Sequence, residues 1–101
     1  MATQAKAYII AEVEVHDAEG FEAYRSGVAP MIAAFGGRYL VRGGPITALE
    51  GDPPPRRVVV IEFPSKAEAE TFWHSEEYRP VAALRHGSAH SRIFMIEGAP
   101  T

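Results

Sequence analysis

The chain has 101 residues, enough for one domain (1–101) with a single core, and a hydrophobic fraction of 47%, ordinary for a globular protein. Ten lysines and arginines against thirteen acids leave a formal charge of −3, and the basic residues are scattered, which excludes the clustered basic face that nucleic-acid binding needs. There is no cysteine, so disulfides, thiolate catalysis and cysteine-based zinc sites are excluded. No apolar run is long enough for a membrane span or leader peptide, so the expectation is a soluble, cytoplasmic protein.

Residues 6–15 alternate as a strand: Ala7, Ile9, Ala11, Val13 and Val15 on one parity, Tyr8, Ile10, Glu12 and Glu14 on the other. Asp17 is a good helix N-cap. After it Phe21, Tyr24, Val28, Met31 and Phe35 recur at steps of three and four, the stripe of an amphipathic helix. Pro30 lies inside that stripe and predicts a kink or split near Val28, because proline removes one backbone bond. Gly36-Gly37 supplies a left-handed stop.

Residues 38–42 predict a short strand, 43–45 a turn, and 46–50 an extended arm or short strand. The proline-rich stretch 51–55 reads as a stiff loop close to polyproline. Residues 57–63, Arg-Val-Val-Val-Ile-Glu-Phe, read as a strand buried on both faces and stopped by Pro64. Ser65 with Glu68 three residues on has the spacing of a capping box, and the helix it opens buries Ala69, Phe72 and Trp73. A second short helix starts near Ser75, carries Tyr78, Val81, Ala82, Leu84 and Arg85, and ends at Gly87. The last strand is 91–97, followed by a loose tail.

The order is βαββαβ, which folds most simply as a ferredoxin-like α+β domain: an antiparallel sheet with helices on one face. Strand parity then makes a demand. Ile9, Ala11, Val13, Val59, Ile61, Phe63, Ile93 and Met95 form one apolar face, and Tyr8, Ile10, Val58, Val60, Phe94 and Ile96 form a second. Helices cover only one of them. With on the order of 100 Å² per side chain at roughly 25 cal/mol per Å², covering the second face contributes about ten kcal/mol gross. A second copy packed sheet to sheet is the economical cover, and a two-fold homodimer is the expectation.

Several blocks resemble one family. They are Ala5-Lys-Ala-Tyr-Ile-Ile-Ala11, Gly36-Gly-Arg-Tyr-Leu-Val-Arg-Gly-Gly44, Leu49-Glu-Gly51, the strand and cap over 58–65, and Phe72-Trp-His-Ser-Glu-Glu-Tyr78. Together they are similar to the domain-of-unknown-function 1330 family, within the dimeric α+β barrel superfamily. The resemblance implies a ferredoxin-like protomer paired as a dimeric α+β barrel, and no agreed activity. Superfamily members include cofactor-free monooxygenases, haem-degrading enzymes and small isomerases or lyases, and kinship of fold transfers none of these chemistries.

Glu12 and Glu62 share the parity of the second apolar set. Either is a desolvated carboxylate fit for general acid–base work, or it pairs with Arg42, Arg57 or Arg92 and is structural, or it sits at a strand end in water. Arg42 and Glu50 flank the turn and arm, and either meet as a cross-strand ion pair or leave Arg42 to hold a ligand anion, with Arg85 as a second anchor. Trp73, Tyr78, Tyr24 and Tyr39 form either plain core or an aromatic wall for a ligand. No histidine has metal-ligand spacing, and no asparagine is present for the asparagine–tryptophan–histidine haem chemistry of some superfamily members. The expectation is no metal and no tightly held cofactor. Two functions stand: a small-molecule binder, with or without cofactor-independent catalysis on its ligand, and a non-catalytic dimeric module that binds a metabolite or a protein partner through mutually paired groups.

Overall fold

The computed structural model describes residues 5–53 and 57–99. Its strands are β1 (Ala7–Val15), β2 (Arg38–Arg42), β3 (Arg57–Phe63) and β4 (Ala89–Glu97), and its helices α1 (Ala18–Ala34), α2 (Lys66–Trp73) and α3 (Tyr78–His86). The sheet order is β2-β3-β1-β4 and every ladder is antiparallel, the ferredoxin-like α+β arrangement. β3 and β1 are the inner strands, which suits the β-branched run over 58–61 at the centre of β3.

The register separates the two faces as strand parity requires. Ile10 pairs with Val60 on one side and Phe94 on the other, and Tyr8 with Glu62 and Ile96. The opposite parity is the core: Ile9, Ala11, Val13, Ile61 and Phe63 are buried under the helices, with Ile32 and Phe72. On the open face Val41, Phe94 and Ile96 keep 43%, 43% and 52% of their surface in solvent.

Both N-caps form, and of the capping box the Ser65 half is made. Asp17, extended at φ −137°, accepts the Gly20 N–H at 3.2 Å, and Ser65 Oγ accepts the Glu68 N–H at 3.3 Å. Ser75 Oγ accepts the Tyr78 N–H while donating to the Phe72 carbonyl, so one hydroxyl links α2 to α3.

Three expectations are corrected. α1 runs unbroken through Pro30: the ring sits on the exposed side, where solvent can serve the carbonyl that loses its N–H partner. Residues 46–50 take the extended arm rather than the strand: beyond Gly43, whose N–H donates to the Val58 carbonyl, the arm joins no ladder among the described residues, and Leu49 is 96% exposed. β4 starts at Ala89 rather than 91, since its ladder with β1 extends to Val15. The predicted loop over 51–55 and tail over 98–101 lie partly outside the described residues.

Candidate functional site

α1 and α3 pack on one another and leave a cavity of about 50 Å³ between α1, α3 and the sheet. That is room for roughly three or four waters, or one small organic group. Apolar side chains such as Val28, Ile61 and Phe72 form most of its wall. Four arginines also line it (Arg25, Arg42, Arg57 and Arg85), and among the described residues no acid does. Each arrives from a different element.

Arg25 comes from α1, beside Tyr24 in the helix stripe. Arg57 heads the core-facing parity of β3 and leans on the Phe21 ring, 5.6 Å from its centroid. Arg42 arrives through an irregularity in β2: Tyr39 pairs with Ile61 but Val41 with Val60, so Leu40 is an extra residue. Such a bulge reverses the facing of the residues beyond it. It turns Val41 to the open face and brings Arg42 round to stack on Tyr39, 4.2 Å from the ring centre. Gly43 comes next at φ +76°, and a Cβ there would stand 2.8 Å from the Arg57 guanidinium. Only glycine lets this turn and that arginine share the space.

Arg85 comes from α3 and is 5% exposed. Its Nη1 donates to Ser91 Oγ at 2.8 Å and its Nη2 to the Tyr78 hydroxyl at 3.5 Å, and among the described residues no carboxylate pairs with it. The Nε–H groups of Arg25, Arg57 and Arg85 are all buried without an acceptor. Glu22 does pair with Arg25, at 3.1 Å through Nη1, but on the exposed side of α1. Desolvation first, then repulsion from Arg25 and Arg42, lowers the Arg57 pKa from its ordinary value.

The aromatic groups complete the wall. Tyr24, Tyr39, Trp73 and Tyr78, the four singled out in the sequence, all border the cavity. The Tyr24 and Tyr78 hydroxyls lie 3.0 Å apart. Burial chiefly, with Tyr78 beside it, pushes the Tyr24 phenol far above its usual range, and burial raises Tyr39 against the opposing pull of Arg42, Arg25 and Arg57. Both stay protonated donors at neutral pH. Trp73, the sole tryptophan of the chain, packs against Tyr78 and also borders a groove of about 230 Å³ between the end of α2 and α3.

The expected carboxylates lie elsewhere. Glu62 and Glu12 are on the open face, across the sheet from the cavity. Glu62 accepts from Arg38 Nε at 2.8 Å and from the Tyr8 hydroxyl at 3.2 Å, with Lys6 at 3.6 Å. The Arg38 hydrogen bond, against the opposing effect of desolvation, holds its pKa below 4.5. Glu12 accepts from Arg92 at 2.6 Å. Neither is the unpaired, desolvated carboxylate that a general base requires. Glu50 is exposed on the arm, and among the described residues no ion pair joins it to Arg42. Among these residues, too, no three His, Asp or Glu side chains gather as a metal site, and no helix is long and apolar enough to cross a membrane.

The model of the domain of unknown function DUF1330 matches residues 6–99. The chain belongs to the DUF1330 family. Among solved structures it is similar to a protein of unknown function from Rhodopseudomonas palustris, with TM-score 0.78 and 19% identity over 97% of this chain and 85% of that one. It also resembles SnoaB, a cofactor-independent oxygenase from Streptomyces nogalater, with TM-score 0.65 and 14% identity over 96% of each chain. A third likeness is to a conserved protein of unknown function from Bacteroides thetaiotaomicron, a possible oxidoreductase, with TM-score 0.57 and 13% identity over 95% of this chain and 99% of that one. At such identities the likeness is one of fold. No curated protein matches the sequence.

Within this DUF1330 chain, sequence reasoning misses Arg25 and treats Arg57 only as a partner for an acid. Arg57 has a signal: it occupies the parity of Val59, Ile61 and Phe63, so a charge there points under the helices. Arg25 has a weaker one, adjacent to Tyr24 on the flank of the buried stripe.

Proposed function

We propose that this protein binds a short organic carboxylate in the cavity beneath α1 and α3, and does so as a homodimer joined through the open face of its sheet. The observation that carries the binding reading is the lining: four guanidiniums, three with a buried Nε–H lacking an acceptor, and no acid among them. The chain as a whole carries more acids than bases, so this concentration of positive charge runs against its composition. Arg85, 5% exposed, is a buried cation with no counter-charge among the described residues, a costly arrangement, and a carboxylate bound by its guanidinium fork removes that cost while the apolar wall takes the carbon chain. With Glu12 and Glu62 on the far face, the observations favour binding without a protein-borne general base.

The dimer rests on the other face. Ile10, Val58 and Val60 lie there with the exposed Val41, Phe94 and Ile96, and two of its carboxylates, Glu62 and Glu12, are already paired with Arg38 and Arg92. A face so arranged is suited to burial against a copy of itself.

The test uses Trp73 as reporter, since all tryptophan fluorescence comes from the cavity wall. Propionate at constant ionic strength gives a saturable change, and propionamide, of the same shape without the charge, gives none. A flat response to propionate, or equal responses to both, overturns the anion site. Native mass or sedimentation on the same sample reports the dimer.

A further inference from the structure

The donors around the cavity say more about the ligand than its charge. Its polar lining side chains are four guanidiniums, three phenols and one indole, every one of them a hydrogen-bond donor. Tyr24 and Tyr78 are only 3.0 Å apart, so one hydroxyl donates to the other. Two hydroxyls carry two protons, and that contact uses one. The Tyr78 oxygen already takes Arg85 Nη2 at 3.5 Å. The remaining phenolic proton has no acceptor among the described side chains, and it lies in the same group as the Arg85 guanidinium, whose Nε–H is also unspent.

Deepening the anion-site reading on which it rests, we propose that the ligand is a short oxo acid, its carboxylate on the guanidiniums and its carbonyl oxygen accepting from the Tyr24–Tyr78 hydroxyl pair. A plain alkyl carboxylate offers that proton nothing. An amino acid is disfavoured because its ammonium enters a cationic lining that holds no acid. An oxo acid brings acceptors alone, which is what a wall of donors requires, and a cavity of about 50 Å³ admits only a short one.

The full-length protein is titrated with pyruvate, propionate and alanine at matched ionic strength, with Trp73 fluorescence as the readout. The expected order is pyruvate about tenfold tighter than propionate, the worth of one added hydrogen bond, with alanine giving no saturable change. Tyr24→Phe and Tyr78→Phe each bring the pyruvate-to-propionate ratio toward one while propionate itself still binds. Equal affinity for pyruvate and propionate in the native protein overturns the oxo-acid assignment and leaves the anion site standing. A full tenfold preference retained in both tyrosine variants overturns it too. No response to either acid removes the anion site and this inference together.

Discussion

The two faces of the sheet are made from the same strands by alternate residues, yet they treat charge in opposite ways. On the open face the two carboxylates nearest the apolar strip are paired, Glu62 with Arg38 and Lys6, Glu12 with Arg92. On the helix-covered face four arginines border a cavity whose lining contains no acid. A protein surface destined for another protein surface gains from settling its charges internally, because each unpaired charge it buries costs desolvation. A pocket destined for a charged guest gains from leaving them unsettled, because the guest supplies the missing partner. The difference assigns a separate task to each face, and each assignment is open to attack by substitution.

The largest effect is expected on the open face. Val60 is half-buried there beside Ile10. Val60→Lys places an ammonium in the proposed interface, at a cost of several kcal/mol, so the dimer dissociation constant rises by about a hundredfold or more. Sedimentation over a concentration series measures it. The propionate response of Trp73 persists, because the cavity lies on the other side. An unchanged association constant removes the open face as an interface.

The next effect is on the covered face, and it carries opposite signs for stability and binding. Arg85→Met removes a buried cation with no carboxylate facing it and fills the space with a flexible apolar chain, so the melting temperature is unchanged or higher. Carboxylate affinity falls by about tenfold to a hundredfold, the range for a hydrogen bond to a charged group. A variant that melts much earlier but still binds makes Arg85 a structural residue, and the contrast between the faces fails.

Much of this contrast is legible in the chain. Parity over 6–15, 57–63 and 91–97 separates two apolar sets, the caps at Asp17 and Ser65 locate two helices, and the pairing of Glu12 with Arg92 is one of the fates its parity allows. The site is less legible, for physical reasons that concern particular residues. Strict alternation puts Arg42 on the open face with Arg38, and only the extra residue at Leu40 turns it to the helix-covered face. Glu62 has the parity that alternation assigns it, but alternation does not reveal that Arg38, opposite it in the register, and Lys6 neutralise it. Pro30 misleads because the rule against proline in helices ignores which side of the helix faces water.

A smaller effect separates position from strain in the anion site. Gly43 and Gly51 have almost the same left-handed backbone, φ +76° and +75°, but a Cβ at Gly43 meets Arg57 while one at Gly51 meets nothing within 4 Å. Both alanine variants therefore carry a left-handed penalty of about 1–2 kcal/mol in stability. Only Gly43→Ala displaces the Arg57 guanidinium, and it weakens propionate binding severalfold while Gly51→Ala leaves it alone. Equal affinities in the two variants remove Arg57 from the site.

The smallest effect belongs to Glu62, because its partners Lys6 and Arg38 are largely solvated, at 54% and 68% side-chain exposure, and exposed pairs contribute little. Its folded-state pKa is held below the ordinary 4.5, so the folded protein binds fewer protons there than the unfolded chain. The stabilisation is therefore complete above about pH 5 and disappears as the pH falls through the folded value. Melting temperatures of the native protein and of Glu62→Gln across pH 3–7 isolate it, since the other carboxylates contribute alike to both curves. The gap between the curves is constant at neutral pH and closes below about 4.5. If the open face is buried in a dimer, the ion pairs lose solvent and the gap widens with protein concentration; a gap that ignores concentration means that this face stays wet.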